Sequence, residues 1–103
     1  MSGPAVLGLR HEPDGVLVVT GCLDLSTAPL FQRALAAARG SNPRTEQIVD
    51  LRLVSYLDSY GVTVLLQHAP ALRLLVASST AVSTVVRISG LAAAMPVEFL
   101  PAA

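Results

Sequence analysis

The 103-residue chain has no lysine and no tryptophan. It holds one cysteine and four aromatic residues: Phe31, Tyr56, Tyr60 and Phe99. Charged residues make up 14% of it, below the average of about 25% for globular chains. Each scarcity excludes something. A lone Cys22 can neither close an internal disulfide nor build a metal site by itself, and it reads as a structural thiol in or beside a strand. Seven arginines balance seven acidic residues, so there is no basic excess to neutralise phosphates, and direct nucleic-acid binding is not expected. Low charge combined with 52% hydrophobic residues is the opposite of a disordered composition. The longest uncharged run, Ser59 to Leu72, contains Gly61, Gln67, His68 and Pro70, so it falls short of the roughly 18–20 apolar residues of a spanning helix. The first residues lack a basic head followed by an apolar stretch, so no signal peptide is expected and the chain reads as cytoplasmic.

What is present alternates between strand and helix signals. Val6–Arg10 and Val16–Thr20 flank Pro13-Asp14-Gly15, a turn in which Pro presets φ and Gly accepts a positive one, which predicts a hairpin. Gly21 to Asp24 should leave the second strand. Ser26 or Thr27 should then cap a helix that tolerates Pro29 in its first turn and continues to Arg39, where Gly40 stops it. Leu30, Ala34, Leu35 and Ala38 fit one buried stripe. Ser41-Asn42-Pro43 reads as loop and Gln47–Leu51 as a central strand, while Leu53–Leu57 is apolar without clear periodicity. Asp58 or Ser59 should cap a helix ended by Pro70, with Val62, Leu65, Leu66 and Ala69 on its buried face. Leu72–Ala77 is a further strand. Ser79 or Thr80 opens a helix through Ile88 that Gly90 closes, and Leu91–Met95 is one more helical turn. Pro96–Leu100 ends the chain as a strand or tail. This order predicts one α/β domain over residues 1–103, with helices covering a sheet.

The informative segment is Ile48–Leu66, IVDLRLVSYLDSYGVTVLL, where a strand runs through a loop into Asp-Ser-x-Gly at a helix start. Helix N-termini expose unpaired amides and the positive end of the dipole, so a hydroxyl there can carry a phosphate that the amides solvate. Asp58 can cap or orient, and Gly61 admits a close approach of backbone or nucleotide. A hydrolase would need Ser59, a histidine and a carboxylate to converge. His68 lies nine residues on, near the opposite side of the helix, and Gly-x-Ser-x-Gly is absent, so no enzyme is expected. No Gly-rich phosphate loop is present, and no cofactor or metal is expected.

This segment resembles the signature of the STAS domain, the sulfate transporter and anti-sigma-factor-antagonist family. Two further stretches match in family order: Val18–Asp24 with Thr27-Ala28-Pro29, and Val85–Leu91 with its Gly-Leu pair. The resemblance implies the STAS fold, a mixed sheet of about four to five strands with packed helices. With no room for a transporter or kinase beside it, the chain is similar to the stand-alone anti-sigma-factor antagonists. It implies binding to an anti-sigma factor that is also a serine kinase. A sigma factor is then freed and transcription proceeds. Phosphorylation of Ser59 ends the binding, and a serine phosphatase restores it. The implied partner face holds Asp24, Asp58 and Ser59, with Tyr60, Gly61 and Val62 alongside, on a monomer or weak dimer. Tyr60 stands where the family pattern has a second serine, and Cys22 stands at a position often polar or acidic. The alternative is an accessory or scaffold STAS protein of a stress-signalling or transporter complex.

Overall fold

The computed structural model describes residues 6–41, 46–69 and 71–101. Leu7–His11 (β1) and Leu17–Leu23 (β2) form the expected antiparallel hairpin around the Pro13-Asp14-Gly15 turn. They are followed by α1 (Ala28–Ser41), β3 (Gln47–Leu57), α2 (Ser59–His68), β4 (Leu72–Ala77), α3 (Ala81–Ile88), α4 (Leu91–Ala94) and β5 (Val97–Leu100). The five strands lie in sequence order in one sheet. Every pairing after the hairpin is parallel, so each connection is a helical crossover. The tail Pro96–Leu100 thus resolves into a real strand paired with β4. Asn42, Pro43 and Pro70, read above as loop and helix stop, lie outside the described residues.

Alternation along the strands sends one set of side chains to the helices. Leu17, Val19, Val49, Leu51, Leu72, Leu74 and Val76 join residues of all four helices, among them Phe31, Leu65, Val86 and Leu91, in a single buried cluster. The other set mixes apolar residues such as Val18 and Leu75 with ion pairs. Arg52 binds Asp50 at 2.8 Å, and Arg73 reaches Glu46 at 2.8 Å and Glu98 at 3.2 Å. Arg87 lies over the Phe99 ring, 4.2 Å from its centroid.

Two strands run longer than their sequence patterns suggest. The second strand continues through Gly21 to Leu23 instead of leaving at Gly21. Gly21 has φ +91, and a Cβ there would collide with the carbonyl oxygen of Val6 beside the edge strand. The third strand continues through the irregular stretch to Leu57. Val18 pairs with Asp50 but Thr20 with Leu53, and Gly21 with Val54 but Cys22 with Tyr56, so β3 inserts an extra residue twice. The two shifts break the period of two, and buried positions then fall at Leu51, Val54 and Leu57.

Two helix faces are also corrected. In α1 the stripe turns on Phe31 and Leu35, which are fully buried, while Leu30 is exposed. In α2 the residues against the core are Gly61, Val62, Val64 and Leu65, and Leu66 is exposed. The sheet meets each helix at an angle set by the crossover, which periodicity alone does not specify. Thr80 caps α3 in a reciprocal capping box with Ser83. No helix among the described residues is long and apolar enough to cross a membrane.

Candidate functional site

The parallel register places the C-terminal ends of β2 and β3 side by side, with Leu23 paired to Leu57. The β2–α1 and β3–α2 connections therefore emerge together, at the edge where open α/β sheets present ligands. Each connection is organised by one aspartate.

Asp24 Oδ1 accepts from the Ser26 amide (3.0 Å), the Ser26 hydroxyl (2.7 Å) and the Thr27 amide (3.2 Å). In return Thr27 Oγ1 accepts from the Asp24 amide (3.0 Å) and donates to the Cys22 carbonyl (2.7 Å). The Ala28 amide donates to the Asp24 carbonyl (2.8 Å), so this reciprocal pair leads directly into α1. Thr27 stands immediately before α1 and its carbonyl accepts the amide of Phe31 at 3.1 Å, so the cap expected at Ser26 or Thr27 falls at Thr27. Asp24 holds the turn that leads into it, a role the Asp-x-x-Thr spacing signals in the sequence. The Ser26 hydroxyl, assisted by the Thr27 and Ser26 amides, holds the Asp24 carboxyl below its ordinary pKa of 3.8 against a smaller opposing effect of desolvation.

Asp58 is the N-cap of α2. Its backbone is extended (φ −108, ψ −174), and its Oδ1 accepts from the amides of Tyr60 (2.9 Å) and Gly61 (3.2 Å). The choice between Asp58 and Ser59 as cap is thereby decided for Asp58. Ser59 becomes the first helical residue. It is exposed, and among the described residues its hydroxyl has no hydrogen-bond partner, while its carbonyl accepts from Thr63 Oγ1 at 2.8 Å. The Asp58 amide donates to the Leu23 carbonyl at 3.0 Å, tying this loop to the end of β2.

Gly61 serves that tie. A Cβ on it would stand 2.6 Å from Leu57 Cδ1, 3.0 Å from Leu23 Cβ and 3.1 Å from the Leu23 carbonyl oxygen. The close approach that glycine permits is therefore to the protein's own β2 backbone. Gly61 and Val62 are both buried, so they shape the surface from beneath and offer little for a partner to touch. Tyr60 points outward and is half-exposed. Of the six residues expected on one face, Asp24, Asp58, Ser59 and Tyr60 reach the surface at adjoining strand ends. Sequence reasoning missed Leu25, Leu30 and Tyr56, exposed apolar side chains at the same end of the molecule.

His68, Asp50 and Cys22 are engaged elsewhere. His68 lies in the seam between helices, with Nε2 3.2 Å from Gln32 Oε1 and Nδ1 3.5 Å from Arg39 Nη1. Asp50 is buried and held bidentately by Arg52. The arginine outweighs the desolvation that is the largest single influence on that carboxyl and leaves its pKa below 3.8. Cys22 is half-buried in β2, its sulfur 3.7 Å from Ser55 Oγ. Among the described residues no three His, Cys, Asp or Glu side chains converge as metal ligands. Chemically, the site offers an accessible hydroxyl between carboxylates and apolar side chains.

Comparison with known proteins agrees with this architecture. A search of curated proteins found no match. Among solved structures, an anti-sigma factor antagonist from Mycobacterium paratuberculosis superposes with a TM-score of 0.70 at 23% identity, over 94% of this chain and 89% of that one. The anti-sigma factor antagonist SpoIIAA in its unphosphorylated form superposes with a TM-score of 0.66 at 24% identity, over 90% of this chain and 88% of that one. Identities at this level establish a shared fold. The STAS domain profile matches residues 9–99, nearly the whole sequence, and the chain belongs to the STAS domain family.

Proposed function

We propose that this protein is an anti-sigma-factor antagonist, acting in the cytoplasm, whose binding to an anti-sigma factor/serine kinase is switched off by phosphorylation of Ser59. The observation that carries the reading is the Ser59 hydroxyl. It is exposed, makes no hydrogen bond among the described residues, and stands at the first position of α2 because Asp58 has taken the capping role. A kinase can reach such a hydroxyl without unfolding anything. The named function of two structural relatives supports the partner class.

The switch is electrostatic and requires no catalysis by this chain. A phosphoserine brings about −1.5 to −2 charges at pH 7. It would stand next to Asp58, near Asp24, and beside the half-exposed Tyr60 ring. Like charge and a tightly held hydration shell both oppose burying that surface against a partner. A serine phosphatase restores the neutral hydroxyl.

The test is incubation with purified ATPase-type anti-sigma factors and Mg-ATP, followed by phosphosite mapping and pull-down. Ser59→Ala should bind and take up no phosphate, and Ser59→Asp should lose binding. Phosphate on Ser59→Ala, or equal binding by the modified and unmodified protein, would refute the reading.

A further inference from the structure

We infer that the anchor of this surface is an apolar patch of Leu25, Leu30, Tyr56 and Tyr60 around Asp24 and Asp58, shaped for a protein segment that offers apolar side chains and a basic group. The inference rests on the reading that this end of the molecule meets a partner. It names contact residues outside the motif and the chemistry they select.

The apolar side comes from three connected places. Leu25 lies in the turn between Asp24 and Thr27 and is 61% exposed, and Leu30 in the first turn of α1 is 48% exposed. Tyr56, paired in register with Cys22 two residues before Asp58, is 53% exposed, and Tyr60 in the first turn of α2 is 50% exposed. Internal packing does not require them there, because Phe31, Leu23 and Leu57 beside them already fill the core. Large apolar side chains gathered at one end of a small protein mark an interaction surface, and tyrosine is among the commonest anchors of such surfaces.

The charge side is as specific. Every described ion pair lies elsewhere: Arg10 with Glu12, Arg52 with Asp50, and Arg73 with Glu46 and Glu98. Asp24 and Asp58 use Oδ1 for their own turns and have no arginine partner among the described residues. Two carboxylates whose outer oxygens have no partner among the described residues, near exposed apolar side chains, favour a guanidinium or ammonium at the contact. A phosphate on Ser59 would attract that cation as well, so the loss of binding has to come from the volume and bound water it brings over the neighbouring Tyr60 ring.

A displayed library of random peptides, selected against the intact protein, tests this directly. Enriched peptides should combine apolar residues with Arg or Lys. Their binding should weaken at least about tenfold for Tyr56→Ala and for Leu25→Ala, as expected for anchor residues. Ile88→Ala removes the most exposed large apolar side chain, at the far end of α3, and should leave binding unchanged. These are surface substitutions, and an unchanged circular dichroism spectrum and melting curve verifies that each variant is folded. Failure to enrich any sequence, enrichment of acidic or wholly polar peptides, or binding that survives both alanines overturns the inference. So does a dimer in sedimentation that Tyr56→Ala disperses, because the patch would then be filled by a second copy. Protein carrying phosphoserine at position 59 separates the two ideas. If the alanines abolish peptide binding and the phosphate does not, the anchor stands and the phospho-switch falls.

Discussion

Substituting Gly61 by alanine sets two effects of opposite sign against each other at the centre of the site. In an exposed helix, alanine is more favourable than glycine by about 0.5–1 kcal/mol, because it restricts the unfolded chain. Here the new methyl would lie 2.6 Å from Leu57 Cδ1, 3.0 Å from Leu23 Cβ and 3.1 Å from the Leu23 carbonyl oxygen. Leu57 is itself buried and has little room to rotate. Leu23 is worse placed to yield, since its carbonyl accepts the Asp58 amide and its side chain is fully buried. Overpacking costs about 1–3 kcal/mol, and a contact as close as 2.6 Å belongs to the upper part of that range, about 2–3 kcal/mol, so the net expectation is a destabilisation of about 1–2.5 kcal/mol. In urea, the midpoint should fall with an unchanged slope. Removing the nearer obstacle tests the cause. Leu57→Ala added to Gly61→Ala should cost less than the sum of the two single changes, because the sites touch. Amide shifts of Ser59 and Tyr60 should move as the first turn of α2 tilts outward. A Gly61→Ala protein as stable as the parent or more so, with those shifts unmoved, would show that α2 does not rest on β2 in this way.

Loss of the cap is the next expectation. Asp58→Ala should cost about 1 kcal/mol in chemical denaturation, and Asp58→Asn, whose side-chain oxygen can still accept both amides, much less; equal losses would count against the cap geometry. His68 should titrate below its ordinary value of 6.5, because desolvation in the helix seam, and then Arg39, disfavour its charged form. A folded pKa below the unfolded one means that the native state favours neutral imidazole. Stability should therefore be lost as pH falls from about 6.5 through the folded pKa, with a slope that His68→Gln diminishes. An NMR titration with a midpoint at or above 6.5 would contradict this. Arg52→Met should destabilise the fold by about 1–3 kcal/mol, less than a fully buried pair would lose because Arg52 is partly exposed, since it strands the buried Asp50 carboxylate; Asp50→Asn with Arg52→Met should recover most of that loss. Denaturation of the two variants side by side decides it.

Much of the architecture was legible because local rules and the fold agree. Pro13-Asp14-Gly15 dictated the hairpin, the apolar run Leu72–Ala77 became a strand over those same residues, and Thr80 capped α3 as expected. Where legibility failed, a tertiary contact had replaced the local rule. Gly21 reads as a strand end, yet it is a strand residue that gives way to the neighbouring Val6 carbonyl. Leu53–Leu57 lacks a period because β3 shifts register twice against β2. Leu30 and Leu66 fit apolar stripes and are exposed, since position relative to the sheet, which periodicity does not report, decides what a helix buries.

The sequence by itself determined the class of the molecule and pointed to its candidate site. Scarce charge, a net charge of zero and a single cysteine left a packed α/β domain, and Asp58-Ser59-Tyr60-Gly61 at a helix start marked the end of the molecule proposed to meet a partner. Only the tertiary structure divided the labour among those residues. Side-chain hydrogen bonds made Asp58 the cap and so left the Ser59 hydroxyl without a partner among the described residues, and burial turned Gly61 and Val62 into support. Register brought Asp24, Leu25 and Tyr56 to the same end from more than thirty positions apart in the chain for Cys22 and Tyr56. The physical reason is that exposure and hydrogen-bond partnership belong to the packed chain. A motif lists donors, acceptors and apolar groups, and the fold decides which of them are already satisfied and which remain available to a partner.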